Sequence, residues 1–136
     1  MKIPGHPVSE GVAKAELLVS PEPITFYGGV DPLTSKVTEP GHPLYGEVLK
    51  DRILVFPHSK GSTVGSYIIL RLARRGIAPA GIVTLKPDEV VIVGCVIGGV
   101  PSMTGISEEA FNTLRTGDKA ELRVDRNYAE LLVEEL

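Results

Sequence analysis

The 136-residue chain has one cysteine, Cys95, and no tryptophan, and glutamine is absent altogether. A single cysteine excludes an internal disulfide. It also excludes an iron–sulfur cubane held by the chain's own thiolates, which takes several. Aromatic residues make up only 5% of the chain, too few for a platform on which bases stack. Positive charge is equally scarce. Fourteen Lys and Arg face 17 Asp and Glu, for a formal net charge of -3, and no long basic run marks a nucleic-acid surface. The longest apolar stretch, Val90 to Val100, is interrupted by glycines and is too short to cross a bilayer. Met1-Lys2-Ile3-Pro4-Gly5 has no apolar signal core, so the expected location is cytoplasmic, with no membrane and no nucleic-acid partner. Cys95 sits in the apolar stretch and reads as a small buried hydrophobe rather than a reactive thiol. The lack of glutamine, with 11 prolines, suits a thermophilic source.

What is present is ordinary for a soluble domain: 43% hydrophobic and 23% charged residues, enough to bury one core, and no linker divides residues 1–136. Gly11–Val19 reads as a strand, stopped by the prolines of Ser20-Pro21-Glu22-Pro23. Pro-Gly-His-Pro occurs at Pro4–Pro7 and again at Pro40–Pro43, and both copies read as turns. Residues 26–46 form a long loop rich in Gly, Pro, Asp and Thr, of the kind that is functional or disordered.

The centre of the chain is the clearest unit. Arg52–Phe56 is a short apolar strand, Pro57–Gly61 a turn, and Ser62 or Thr63 a cap for a helix running to about Arg75. Val64, Tyr67, Ile68, Leu70 and Leu72 fall roughly on one side of that helix, and Gly76 stops it. Residues 81–85 and 89–97 read as buried strands, so the order strand–helix–strand predicts a parallel βαβ crossover and an α/β fold. A glycine loop (98–103), a short helix (107–114), a closing strand (119–124) and a helical tail from Asn127 complete the expectation.

The chemistry concentrates in Lys60-Gly61-Ser62-Thr63, between strand and helix. Unpaired N–H groups at a helix start attract anions. Gly61 lets a ligand approach the backbone, and Lys60 adds positive charge. The same field favours the alkoxide of a serine that accepts a proton. From spacing alone a capping serine is the commoner outcome. The order Lys-Gly-Ser, without an upstream glycine, is not a Walker A loop, and no Ser-His-Asp triad can be assigned. His6, His42 and His58 lack metal-ligand spacing. His58, four residues before Ser62, reads as a turn residue near the site. Gly28-Gly29-Val30-Asp31-Pro32 either offers N–H groups to a substrate or is a turn whose Asp31 satisfies its own backbone.

Phe26-Tyr27-Gly28-Gly29-Val30-Asp31-Pro32 together with His58-Ser59-Lys60-Gly61-Ser62-Thr63-Val64-Gly65-Ser66-Tyr67 resembles the small subunit of the aconitase-X group, and the similarity spans nearly the whole chain. The resemblance implies the swivelling β/β/α domain that is similar to the mobile C-terminal domain of aconitase-like enzymes. It implies a dehydratase, in particular one acting on 5-phosphomevalonate in an archaeal isoprenoid route, a small anionic substrate. Ser62 matches the family's catalytic proton acceptor. Lys60, Gly61, Thr63, Gly28, Gly29 and Asp31 are the accompanying substrate-binding candidates. The family places an iron–sulfur cluster, [4Fe–4S] by expectation, in a separate large subunit, with no cofactor held by this chain alone.

Three alternatives stand beside this one. The same scaffold serves other substrates, such as hydroxyproline in related dehydratases. A phosphocarrier swivelling domain carries a Thr-Ser-His segment at a helix start, where this chain has Gly65-Ser66-Tyr67 without a histidine. A purely regulatory subunit would leave turnover indifferent to Ser62.

Overall fold

The computed structural model describes residues 1–135. Two strands open the chain, β1 (Lys2–Ser9) and β2 (Gly11–Val19). A long excursion through residues 20–52 leads to β3 (Ile53–Phe56), α1 (Gly65–Arg74), β4 (Gly81–Thr84), α2 (Glu89–Gly98) and β5 (Ser102–Thr104). The short helix α3 (Glu108–Thr113) precedes β6 (Lys119–Val124) and β7 (Ala129–Val133). The seven strands close into a barrel in the order β1-β5-β4-β3-β2-β6-β7, with β7 returning to β1. Neighbours β2–β3, β3–β4 and β4–β5 are parallel, and the remaining pairs are antiparallel.

Parallel neighbours need crossovers, and α1 and α2 supply two in succession, β3-α1-β4 and β4-α2-β5. The predicted βαβ unit is therefore present and is followed by a second. Alternation along β3 divides the core. Ile53 and Val55 point into the barrel with Leu17, Val83, Leu122 and Leu131. Leu54 and Phe56 point outward to a second cluster under the helices, with Ile69, Leu72 and Val91.

Several segments differ from the sequence expectation, among them Ser102–Thr104, which falls largely in the expected glycine loop and is strand β5, paired with β4 and β1. Residues 89–97 form helix α2 rather than a strand. The run is rich in β-branched residues, but Asp88 caps it by accepting a hydrogen bond from Val91 N–H (3.2 Å), and Gly99, at φ 72°, ends it in the left-handed conformation. Gly94 decides the packing: a Cβ there would stand 2.8 Å from Ile69 Cβ, so only glycine lets α2 lie this close to α1. The tail from Asn127 is strand β7 rather than helix, paired with both β6 and β1.

The first Pro-Gly-His-Pro lies inside β1, in register with β7 through Pro4 and Gly5 and with β5 through His6 and Pro7, whereas the second forms turns. On α1 the inward residues are Gly65, Ile68, Ile69 and Leu72, while Val64 and Tyr67 are exposed. The loop over 26–46 is ordered by its own hydrogen bonds and by Phe26, Val30, Val37 and Leu44, all buried in the outer cluster.

Candidate functional site

Lys60 to Val64 connects β3 to α1 at the rim of the barrel. Gly61 has φ +87°, a conformation that favours glycine, and a Cβ on it would meet Thr25 Cγ2 at 3.1 Å. The chain turns there so that Ser62 is presented to solvent ahead of the helix. The cap differs from the expected one. Val64 occupies the N-cap position without a side-chain cap bond. Ser62 Oγ instead accepts a hydrogen bond from Val64 N–H at 3.1 Å, while the Ser62 carbonyl accepts from Gly65 N–H at 3.0 Å. Ser62 thus sits just before the helix, and one backbone N–H points at its oxygen.

Lys60 does not stand as a free charge. Its Nζ pairs with Glu39 Oε2 at 3.2 Å, with the lysine side chain 48% and the glutamate side chain 26% exposed. The other oxygen, Glu39 Oε1, is buried and has no hydrogen-bond partner among the described residues. An ammonium has three donors, so two of Lys60's remain available beyond this pair.

The two glycine-rich segments come together. Lys60 N–H donates to the Ile24 carbonyl and Ile24 N–H to the His58 carbonyl, laying residues 24–29 alongside 58–61. Gly65 is held close to Phe26 and Tyr27: a Cβ there would be 3.3 Å from Phe26 Cβ. Gly29 folds against Thr25, whose carbonyl oxygen a Cβ would meet at 2.2 Å, and Gly28, at φ +88°, lies exposed beside it. Asp31 faces its own turn. Its carboxylate accepts from Leu33 N–H (2.9 Å) and Thr34 Oγ1 (3.0 Å). Thr63 is exposed and lines a groove between α1 and α2.

His58 is half-buried, and its Nδ1–H donates to the Ser59 carbonyl at 2.8 Å. His42 is buried, with Nε2–H donating to the Pro23 carbonyl and Nδ1 accepting from Leu44 N–H. Two residues escaped sequence reasoning. Glu39 lies 21 positions from Lys60, in a loop whose course no local pattern reveals. Asp88 caps α2 and also accepts from Ser59 N–H and from Ser59 Oγ (2.7 Å), tying the segment before Lys60 to the start of α2. Its signal was present in sequence, an Asp directly before a possible first helical turn, but the following residues read as a strand.

The donor set does not suit a metal cluster. Among the described residues no three His, Cys, Asp or Glu side chains gather where an ion could be held. The one thiol, Cys95, is buried. Burial, opposed by the nearby Ser102 hydroxyl and reinforced by the Asp88 charge, pushes its pKa up to about 12, far from the thiolate a cluster requires. No helix is long and apolar enough to cross a membrane among the described residues.

Comparison with known proteins agrees with this architecture. The "Phosphomevalonate dehydratase small subunit" of Methanococcoides burtonii is 38% identical over 132 residues, covering 97% of this chain and 96% of the relative. The protein of the same name from Pyrococcus furiosus is 40% identical over 134 residues, 98% of each chain. The crystal structure of Thermococcus kodakaraensis aconitase X in its holo-form superposes with a TM-score of 0.92 at 36% identity, covering 99% of both chains. Residues 2–131 match the aconitase X swivel domain, and the chain belongs to that family.

Proposed function

We propose that this chain is the small subunit of a phosphomevalonate dehydratase, a hydro-lyase that removes water from (R)-5-phosphomevalonate to give trans-anhydromevalonate 5-phosphate. In this reading Ser62 Oγ accepts the proton from carbon. The observation that carries it is the match, over nearly the full length of both chains, to archaeal relatives bearing that name.

Dehydration breaks one C–H and one C–O bond, so it needs a proton acceptor on one side and a group that assists the leaving hydroxyl on the other. The chemistry of this chain supplies the first. The N–H of Val64 directed at Ser62 Oγ favours the anionic form of the oxygen, and the helix start adds to the same field. The two free donors of Lys60 and the open backbone at Gly61 suit an anionic substrate group. An iron–sulfur cluster, which this chain's donors do not accommodate, belongs in this reading to the large subunit. Ser62 is exposed, and the neighbouring cavities are lined by Thr63 on one side and by His58 and Ser59 on the other, not by Ser62 itself. An exposed serine gains the water-excluded setting that proton abstraction benefits from when a second chain closes over it.

The test is anaerobic reconstitution of both subunits with phosphomevalonate, following water loss. Ser62→Ala is expected to lower kcat by about 10²–10⁴-fold while the complex still assembles; an unchanged rate would sink the assignment. Lys60→Ala is expected to raise KM more than it lowers kcat. The small subunit alone should be inactive and colourless.

A further inference from the structure

Helix α2, Glu-Val-Val-Ile-Val-Gly-Cys-Val-Ile-Gly, is apolar around its whole circumference. A helix of that kind is ordinarily buried on every side. Here Val90, Val91, Gly94 and Cys95 turn inward, but Ile92, Val93, Val96 and Ile97 remain 39%, 40%, 54% and 63% exposed. Tyr67 of α1, 66% exposed, stands beside them. The close approach at Gly94, and at Gly98, where a Cβ would stand 3.1 Å from Ala73 Cβ, brings Tyr67 and half-buried Leu70 of α1 beside the exposed apolar residues of α2, while Arg71 and Arg74 stay exposed elsewhere on α1. Between them runs a groove of about 220 Å³ whose lining includes Thr63, Tyr67, Val93 and Ile97. Contiguous apolar surface of this sort marks an interaction site. The concavity lined by β2, β6 and β7 also has apolar residues, Ala15, Ala120, Leu132 and Val133, but five charged ones, Lys14, Glu16, Lys119, Glu121 and Glu134, line it against only Glu89 in the groove.

We propose that the α1–α2 face docks onto an apolar surface of the large subunit. The inference rests on the functional reading above, and it specifies which side of this chain the large subunit covers. The groove reaches Thr63, the residue next to Ser62, so a chain that completes a site at Ser62 meets this apolar face first. The relatives' name, a small subunit, pairs a chain of this kind with a larger one, which makes the large subunit the occupant. An aromatic anchor such as Tyr67 is the kind of side chain enriched at such contacts, and the aliphatic residues around it exclude water.

Calorimetric titration of the full-length chain with its large subunit tests the assignment. Val96→Glu and Ile97→Glu are each expected to weaken binding by at least about a hundredfold. Val12→Glu, at a β2 position 64% exposed, should leave affinity unchanged. Far-UV circular dichroism checks that the variants fold; if the charged variants lose helicity, Tyr67→Ser on α1 replaces them in the same titration and should also weaken binding. Wild-type affinity in the folded groove variants, with a wild-type complex that dehydrates phosphomevalonate, would overturn the docking face and leave the functional reading standing. A wild-type chain that neither binds the large subunit nor supports turnover would overturn the functional reading as well. Light scattering covers the remaining case: a homodimer that Val96→Glu dissociates, with large-subunit binding intact, would assign the face to a second copy.

Discussion

Ser62 and Cys95 occupy opposite extremes of exposure, one presented to solvent and the other fully buried. For Cys95 the consequence is thermodynamic. Its pKa rises from 9.0 to about 12, chiefly because burial penalises the thiolate. The folded state therefore holds the proton more tightly than the unfolded one. The thiol's contribution is fully present below the unfolded pKa and is lost as pH climbs from about 9 towards 12. Urea midpoints are expected to fall across that alkaline window, and to fall less in Cys95→Ala; equal slopes would contradict the buried-thiol account. The same residue should resist alkylation in the native state at pH 8.

Much at this scale was legible in sequence. Gly61 and Ser62 stand where the Lys-Gly-Ser-Thr segment placed them, between strand and helix. The positive charge of Lys60 is legible locally, but nothing local announces its partner Glu39. Asp31 turns its carboxylate to Leu33 N–H and Thr34 Oγ1, a local turn that its sequence context already allows.

Among the elements, α2 teaches most. Val, Ile and Cys, interrupted only by glycine, satisfy the pattern of a buried strand as well as that of a buried helix, and periodicity does not separate the two. Asp88 and Gly99 at the ends, and Gly94 against Ile69, separate them. Asp88 serves two elements at once, since it also accepts from Ser59 N–H and Oγ. Asp88→Ala should therefore cost more than an ordinary cap. Loss of the cap accounts for about 1 kcal/mol, and the stranded Ser59 donors for about 1–3 kcal/mol more. Urea denaturation measures the sum, and a loss well under 1 kcal/mol would mean that Asp88 does not brace the segment leading to Lys60. Asp88→Asn, which keeps an acceptor, should recover part of it.

For the molecule as a whole, the barrel depends on its two ends. β1 and β7 pair with each other and close the ring. Ala-Glu-Leu-Leu-Val in β7 has helix-forming residues, and its proline-bearing partner β1 looks like a turn; each becomes a strand because the other is there to satisfy its backbone. The prediction at this scale is a contrast between adjacent leucines. Leu131 is fully buried inside the barrel and Leu132 is only half-buried on the outside. Leu131→Ala should cost about 2–5 kcal/mol and Leu132→Ala much less, by chemical denaturation. Similar costs at the two positions would contradict a strand with alternating faces.

The sequence by itself determined the α/β class, the parallel crossover through α1 and the location of Ser62 before a helix, because each is written in neighbouring residues: apolar runs, glycine stops and a hydroxyl at a strand–helix junction. The identity of α2 as a helix, the strands at both ends, the Glu39 partner of Lys60 and the apolar face beside Thr63 were decided only by tertiary structure. Those features depend on contacts between residues distant in the chain, and a local pattern carries no record of which distant backbone or side chain will arrive to complete it.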